Sequence, residues 1–190
     1  YNRSARRAIM EFYPIKGQLQ MKKIEPTNEK DLWLLHHLTI DEDVYGDPLK
    51  VEEEGSQGFL WNLEKETFLN LEYLKHDELY SSAFSIYYGD FPIGFLDISG
   101  ILYTPDFSYV DFSYALIKEA RGHGYMKDTL SIVSDEMLRN RVYQLDFCEC
   151  FISPFNSSSI KVACASGFSR EINREGEEIT CLHCYTKKRK

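Results

Sequence analysis

Residues 119–125 read Glu-Ala-Arg-Gly-His-Gly-Tyr and join a predicted strand at about 108–117 to a predicted helix that runs from Gly124 to about 140. Two glycines at this spacing let the main chain curl so that its N–H groups point into one concavity. The helix that follows adds unpaired N-terminal N–H groups and the positive end of its dipole. The segment therefore predicts a pyrophosphate site, while a plain strand-to-helix turn remains the alternative.

A second capped helix is predicted from Asn156 to Ser166, with Asn156 as its N-cap and Gly167 just past its end. It follows a predicted strand at about 143–151. Taken alone, this pattern indicates only a well-capped helix that is entered from a strand.

The rest of the chain alternates between helix and strand patterns. The remaining predicted elements are a short strand after Met21, a helix after Thr27 or Asn28 with Leu32, Leu35 and Leu38 on its apolar face, a helix at about 60–76, a hairpin of strands at about 80–88 and 93–99, an excursion with Gly100 and Pro105, and strands at about 168–173 and 179–187. They predict a single α/β (α+β) domain over residues 21–187. Residues 1–20 are interpreted as an N-terminal extension or a leftover of expression.

The composition is that of a folded globular protein. The chain has 190 residues, of which 43% are hydrophobic and 27% charged, and its formal net charge is −8. Negative charge argues against a dedicated nucleic-acid binder, because phosphate binding needs a positive surface. No window approaches the roughly 18 uninterrupted apolar residues of a membrane span, and residues 1–20 lack the apolar core of a secretory signal. We therefore expect a cytoplasmic protein with neither nucleic acid nor membrane as a partner.

The five cysteines all lie in the last quarter of the chain. Cys148 and Cys150 alternate with apolar residues in a predicted strand, and Cys181 and Cys184 would face opposite sides of a strand. We interpret all five, including Cys164, as free thiols of a reducing compartment, and we predict no metal site.

Acidic residues are concentrated between positions 41 and 80, where twelve carboxylates stand against three lysines. Such a run is typical of a solvated helix face and loop. The alternative is an acidic rim that attracts a cationic substrate.

The two glycine-bounded motifs, in this order and at this separation, resemble those of the GNAT acetyltransferase superfamily. The family's acyl-CoA loop has the pattern Gln/Arg-x-x-Gly-x-Gly/Ala, which residues 119–124 match except that Glu119 replaces Gln or Arg. The later family motif, Asn-x-x-Ser through to Gly-Phe, is matched by Asn156, Ser159, Gly167 and Phe168. The lead-in at 149–156 is similar to the branch that holds the ribosomal-protein N-terminal and small-amine acetyltransferases.

The resemblance implies a mixed, mostly antiparallel twisted sheet of about seven strands with a central V-shaped split, flanked by about four helices. The split would lie between the strands at 108–117 and 143–151 and would admit the thioester of acetyl-CoA, the implied cosubstrate. Main-chain groups of Leu116 and Ile117 would bind the pantetheine arm, and Asn156 and Ser159 would contact that arm from its other side. The implied pyrophosphate donors are the main-chain N–H groups of Arg121, Gly122, His123, Gly124 and Tyr125.

The resemblance also implies direct transfer of acetyl from sulfur to a primary amine. Asp111 and then Glu149 are the candidates for the group that takes the amine proton. A strand N–H near Leu116 or Ile117 would meet the oxyanion. The family commonly protonates the leaving thiolate with a Tyr at the position of Ala163, so Ser159 or a water molecule would act here instead.

The predicted function is therefore that of an acetyl-CoA-dependent N-acetyltransferase. Its acceptor would be a peptide N-terminus, a polyamine or another small cationic amine, and a second copy of the chain is a candidate partner. The alternative is a non-catalytic acyl-CoA-binding or sensing domain, to which Glu119 and Ala163 give some room. A toxin that acts on aminoacyl-tRNA is disfavoured by the net charge of −8.

Overall fold

The structure is a computed structural model that describes residues 12–25, 27–39, 41, 82–171 and 183–189. Its strands are β1 (Phe12–Lys16), β2 (Leu19–Lys23), β3 (Ser82–Tyr88), β4 (Phe91–Tyr103), β5 (Ser108–Leu116), β6 (Phe147–Ile152), β7 (Ser169–Arg170) and β8 (His183–Lys188). Its α-helices are α1 (Glu29–Thr39), α2 (Tyr125–Arg139) and α3 (Ser157–Ala165), and a 3-10 turn covers Lys118–Ala120.

The described strands form one mixed sheet in the order β1-β2-β3-β4-β5-β6-β8-β7. Every neighbouring pair is antiparallel except β5 and β6, which run parallel. The predicted mixed, mostly antiparallel sheet is confirmed, with eight described strands instead of about seven. Of the four predicted helices, the one at about 60–76 lies outside the described residues.

The N-terminal hairpin spans the predicted domain boundary after residue 20. β1 pairs with β2 from Phe12 opposite Lys22 to Lys16 opposite Leu19, so the boundary would fall inside β2. Lys16 also reaches across to α2, where its Nζ lies 3.0 Å from Oδ2 of Asp128. Residues 12–20 therefore belong to the sheet, because their main chain supplies its first ladder.

Helix α1 begins as predicted, since Oδ1 of Asn28 accepts the N–H of Lys30 at 2.9 Å. Its buried apolar face consists of Leu34, Leu35 and Leu38, whereas Leu32 is only half-buried. The prediction for Leu32 is thus corrected to Leu34.

A buried carboxylate explains why α1 turns Leu34 instead of Leu32 toward the core. Asp31 is 1% exposed and accepts hydrogen bonds from Oγ of Ser85 at 2.6 Å and the hydroxyl of Tyr87 at 2.9 Å, both on β3. Burial and the bond to Asp31 raise the pKa of Tyr87, so that its hydroxyl remains a donor. The main-chain N–H of Glu25 is the third donor, at 3.1 Å.

The β3–β4 hairpin turns at Gly89, whose φ is +59°. The sequence predicts that the return strand ends at Ser99 and is followed by an excursion through Gly100. Instead β4 continues to Tyr103 and absorbs Gly100 in a register shift between Ser99 and Ile101. A β-bulge adds a residue to one strand while the hydrogen-bond ladder continues on either side of it. A glycine in the sequence does not distinguish such a bulge from the end of the strand.

The strand register assigns helices to opposite faces of the sheet. Ser85, which bonds to α1, stands opposite Phe95, and Phe95 stands opposite Ala115, so these side chains share the α1 face. Residues 110, 112, 114 and 116 point to the other face, where α2 and α3 pack. Within the described ranges, no helix is both long and apolar enough to cross a bilayer.

Candidate active site

The β5–β6 pair separates partway along its length. It is in register over only three residue pairs, from Tyr109 opposite Phe147 to Asp111 opposite Glu149. Beyond that point β5 continues to Leu116 and β6 to Ile152, with no further pairing between the described residues of the two strands. The predicted V-shaped split is confirmed, and it opens toward the carboxyl ends of both strands.

The side of β5 that faces the split follows from its hydrogen bonds to β4. Ile117 donates its N–H to the carbonyl of Ile93 at 3.0 Å, which fixes the odd-numbered main-chain groups toward β4. On the other side, the carbonyl of Ser108 accepts the N–H of Asp146 at 2.8 Å as the chain enters β6. The alternation therefore directs the main-chain groups of the even-numbered residues into the split.

This alternation separates the two predicted pantetheine contacts. The main chain of Leu116 faces the split, together with that of Phe112 and Tyr114, which the sequence did not single out. Ile117 does not face it, because its carbonyl also accepts the N–H of Ala120 at 3.0 Å. Both main-chain groups of Ile117 are engaged within the protein, and its contact with the pantetheine arm stays a prediction.

The glycine loop lies where β5 ends and α2 begins. Gly122 and Gly124 both have a φ of +80°, and Gly124 is the N-cap of α2. Both are exposed together with His123, and a Cβ added to either glycine would have no heavy atom within 4 Å. The bend is therefore open, and positive φ explains why glycine occupies both positions.

The N–H groups of the loop fall into two sets: that of Arg121 has an acceptor within the protein, and those after it have no described acceptor. Arg121 donates its N–H to the carbonyl of Lys118 at 3.2 Å and closes the 3-10 turn, so this predicted donor already has an acceptor within the protein. No described acceptor takes the N–H of Gly122, His123 or Gly124, and Tyr125 is the first residue of α2. Four of the five predicted donors therefore have no acceptor among the described residues.

The Arg121 side chain links the glycine loop to the end of β5 and to Asp41. Its Nε donates to the carbonyl of Leu116 at 3.1 Å, and its Nη2 lies 2.5 Å from Oδ2 of Asp41. Asp41 is the one acid of the 41–78 stretch that the structure describes. The predicted acidic rim otherwise lies outside the described residues.

The first turn of α3 lies on the opposite side of the split. Oδ1 of Asn156 accepts the N–H of Ser159 at 3.0 Å, which confirms Asn156 as the N-cap. The hydroxyl of Tyr114 donates to the carbonyl of Ser159 at 3.0 Å and links β5 to α3. Ala163, one turn further on, is fully buried and presents only a methyl group.

The two predicted carboxylates meet where the strands part. Asp111 and Glu149 occupy the last β5–β6 pair and project to the α1 face, opposite the face where α2 and α3 pack. Glu149 is 1% exposed and accepts a weak hydrogen bond from Sγ of Cys184 at 3.6 Å. Asp111 is half-buried. The structure thus brings both candidate bases together at the apex of the split.

Cys148 and Cys150 lie on the helix face of the sheet and are buried. Burial raises the pKa of Cys148 to about 12 and raises that of Cys150 as well. Sγ of Cys148 lies 3.9 Å from the carbonyl of Ser134 on α2. In the part of the chain that the structure describes, no three His, Cys, Asp or Glu side chains cluster as metal ligands would. Cys181 lies outside that part.

Several solved acetyltransferases have the same fold. The RimL ribosomal L7/L12 alpha-N-protein acetyltransferase, in complex with coenzyme A, is 17% identical, has a TM-score of 0.70, and is matched over 94% of this chain and 98% of that one. A Salmonella typhimurium acetyltransferase that modifies the N-terminal serine of ribosomal protein L7/L12 is 17% identical with a TM-score of 0.65, over 94% of this chain and 99% of that one. The microcin C7 self immunity acetyltransferase MccE, in complex with acetyl-CoA and AMP, is 14% identical with a TM-score of 0.65, over 92% and 94%.

No protein-family model matches the sequence, and no curated protein matches it significantly. The structural likeness extends over nearly the whole of both chains in each comparison. The chain therefore has the fold of the GNAT N-acetyltransferases.

Proposed function

We propose that this protein is an N-acetyltransferase that transfers the acetyl group of acetyl-CoA directly to a primary amine. The observation that carries the proposal is the parallel β5–β6 pair that parts after Asp111 and Glu149 beside an open glycine loop. A linear substrate with an anionic end needs both features, a cleft with hydrogen-bonding walls and a group of main-chain donors at its mouth.

The cosubstrate would lie along β5 from the loop to the apex of the split. The N–H groups from Gly122 to Tyr125 would hold the pyrophosphate at the positive end of α2. The split-facing N–H of Leu116 would pair with a carbonyl of the pantetheine arm. The Leu116 carbonyl, which already accepts Nε of Arg121 at 3.1 Å, has a second lone pair for an amide of the arm. Asn156 and Ser159 would contact the arm from α3, on the other side.

The acceptor would approach from the α1 face, where the two carboxylates lie. An alkylamine with a pKa near 10 is neutral in only about one molecule per thousand at pH 7, so a base must take its proton. Asp111, the half-buried carboxylate, is our first candidate and Glu149 the second. The neutral nitrogen would then attack the thioester carbon, and the carbon–sulfur bond would break as coenzyme A leaves.

The oxyanion and the leaving thiolate also have candidate partners. The N–H of Leu116 or Tyr114 would stabilise the oxyanion, since Ile117 donates its own N–H to Ile93. The leaving thiolate would take its proton from Ser159 or from water, because Ala163 supplies no proton.

We further propose that the acceptor is a cationic amine, such as a peptide N-terminus or a polyamine. Two carboxylates at the apex and the acidic sequence at 41–78 would attract such a substrate. Acetylation rates for matched cationic and neutral amines should therefore diverge at low salt and converge as salt rises. Equal rates that do not respond to salt would contradict a cationic acceptor.

Two measurements test the proposal in sequence. Acetyl-CoA at one hundred times its Kd should stabilise the folded protein by about 2.7 kcal/mol in a thermal shift. Release of free thiol with an amine panel then separates an enzyme from a domain that only binds acyl-CoA.

Asp111→Asn should lower kcat by roughly 10²–10⁴ and leave acetyl-CoA affinity unchanged, with Glu149→Gln as the competing variant. Full activity in both variants would exclude the carboxylates as bases.

A further inference from the structure

The Tyr114 side chain makes a hydrogen bond that joins β5 to α3 on the helix face of the sheet, beside the split. It belongs to the part of β5 beyond the last pair with β6, and its hydroxyl donates to the carbonyl of Ser159 at 3.0 Å. In the chain, 45 residues separate the two groups. The bond therefore links two elements whose separation neither a strand ladder nor a helix fixes.

This bond completes the fixation of Ser159. Its N–H is held by Oδ1 of Asn156 at 3.0 Å, and its carbonyl accepts the Tyr114 hydroxyl. A carbonyl has two lone pairs, so this bond can coexist with the helical bond from one turn further on. The first turn of α3 is thus tied both to its own cap and to the opposite wall.

The hydroxyl also stays a donor over a wide pH range. Burial raises the pKa of Tyr114 well above its ordinary value, and the nearby thiol of Cys150 adds to the effect. A phenol with so unfavourable an anion is poorly suited to give up its proton, which argues for a positioning role over that of a general acid.

We propose that Tyr114 is a positioning residue that sets the width of the split and so fixes the channel for the pantetheine arm. The inference rests on the proposed function, since it assumes that the arm of coenzyme A enters the split. Tyr114 acts through Ser159 and the first turn of α3. Without the bond, α3 would move relative to β5, and the two walls would no longer contact the arm at the same time.

The test compares two ligands that share a nucleotide and differ in the arm. Coenzyme A carries the arm, whereas 3′-phosphoadenosine 5′-diphosphate carries only the phosphates that the glycine loop would hold. In Tyr114→Phe, which keeps the ring and loses the bond, coenzyme A should bind about fivefold more weakly, as expected for one neutral hydrogen bond. The nucleotide should bind as it does to the wild type.

Tyr103→Phe is the matched control. The Tyr103 hydroxyl donates to the carbonyl of Tyr143 at 2.9 Å, away from the split, so its loss removes the same kind of bond. This variant should bind both ligands normally. The KM for acetyl-CoA should rise in Tyr114→Phe while the alkaline limb of the pH–rate profile stays in place.

Three outcomes would overturn the inference. They are unchanged coenzyme A binding in Tyr114→Phe, an equal loss for both ligands, and a shift of the alkaline limb that would make Tyr114 a proton donor. If the wild type binds the nucleotide but not coenzyme A, or binds neither, the proposed function fails first. The two failures are therefore distinguishable.

Discussion

At the scale of single residues, main-chain conformation determines what the glycine loop can do. Gly122 and Gly124 share a φ of +80°, a region that costs an ordinary residue roughly 1–2 kcal/mol. Because a Cβ at either position meets no atom of the protein within 4 Å, the cost would be conformational and not steric. The same two residues carry N–H groups that no described acceptor takes, so the conformation that favours glycine and the proposed pyrophosphate contacts involve the same stretch of main chain.

We predict that Gly124→Ala weakens acetyl-CoA binding more than it lowers stability. The added methyl group opposes the positive φ that turns the loop N–H groups into one concavity. Gly17→Ala is the control, since Gly17 also has a positive φ of +58°, an open Cβ position and a place in the β1–β2 turn. Isothermal titration and urea unfolding should show similar stability losses in both variants and weaker binding only in Gly124→Ala. Wild-type affinity in Gly124→Ala would remove the pyrophosphate site.

The bend at these two glycines was predictable from the sequence, but the hydrogen bonds of the neighbouring residues were not. Their spacing before a helix indicated the bend, and the bend is present. The engagement of Arg121 and Ile117 depends on a 3-10 turn and on the alternation of β5 against β4. Neither follows from one strand read alone, because a shift of one residue reverses which main-chain groups face a neighbour.

At the scale of elements, the position of β5 depends on its close approach to β4. Gly94 stands opposite Leu116, and a Cβ on Gly94 would overlap the Leu116 side chain and lie 2.6 Å from the carbonyl of Ala115. The absent side chain thus lets β5 lie near enough for its ladder, at the end of the strand that faces the split.

We predict that Gly94→Ala destabilises the protein by about 1–3 kcal/mol, because the neighbour that must move is main chain. The displacement would fall on Leu116, so acetyl-CoA affinity should also drop in the fraction that remains folded. Denaturant unfolding and titration of the same preparation measure the two effects. A variant with wild-type stability would show that β4 and β5 adjust freely and that their spacing does not define the split.

Element types were more predictable than element ends. The capped helix after Asn156 and the β3–β4 hairpin appear where the patterns place them, since caps and turn glycines are local signals. The rotation of α1 was not predictable, because it depends on the buried bonds from Ser85 and Tyr87 to Asp31. That contact joins residues more than 50 positions apart in the chain.

At the scale of the whole molecule, the sheet separates the groups proposed to bind coenzyme A from the two carboxylates proposed as bases. The open N–H groups and the α3 cap lie on the side of α2 and α3, while Asp111 and Glu149 project to the α1 face. The gap between β5 and β6 lies between the two sides, so a thioester within it would be reachable from both. The sequence predicted each part, but their sides follow from the register, which sets the side chains of β3, β4 and β5 in common rows.

The helix side of the sheet also predicts how stability changes with pH. Burial raises the pKa of Cys148 from 9.0 to about 12. The folded protein therefore keeps a proton that the unfolded chain releases above about pH 9, and the contribution of this thiol is complete below that value. As pH rises from about 9 to about 12, the unfolded chain binds fewer protons than the folded one, so the free energy of unfolding must fall.

We predict that urea midpoints stay flat up to about pH 9 and then decline, and that Cys148→Ala declines less steeply from a lower starting point. Cys164→Ala, at an exposed thiol, should follow the wild type. Alkylation supplies a second readout, since the folded protein at neutral pH should react at Cys164 and not at Cys148 or Cys150. Rapid labelling of Cys148 in the folded state would mean that α2 does not seal this side of the sheet, and the helix would then be a poor anchor for the glycine loop.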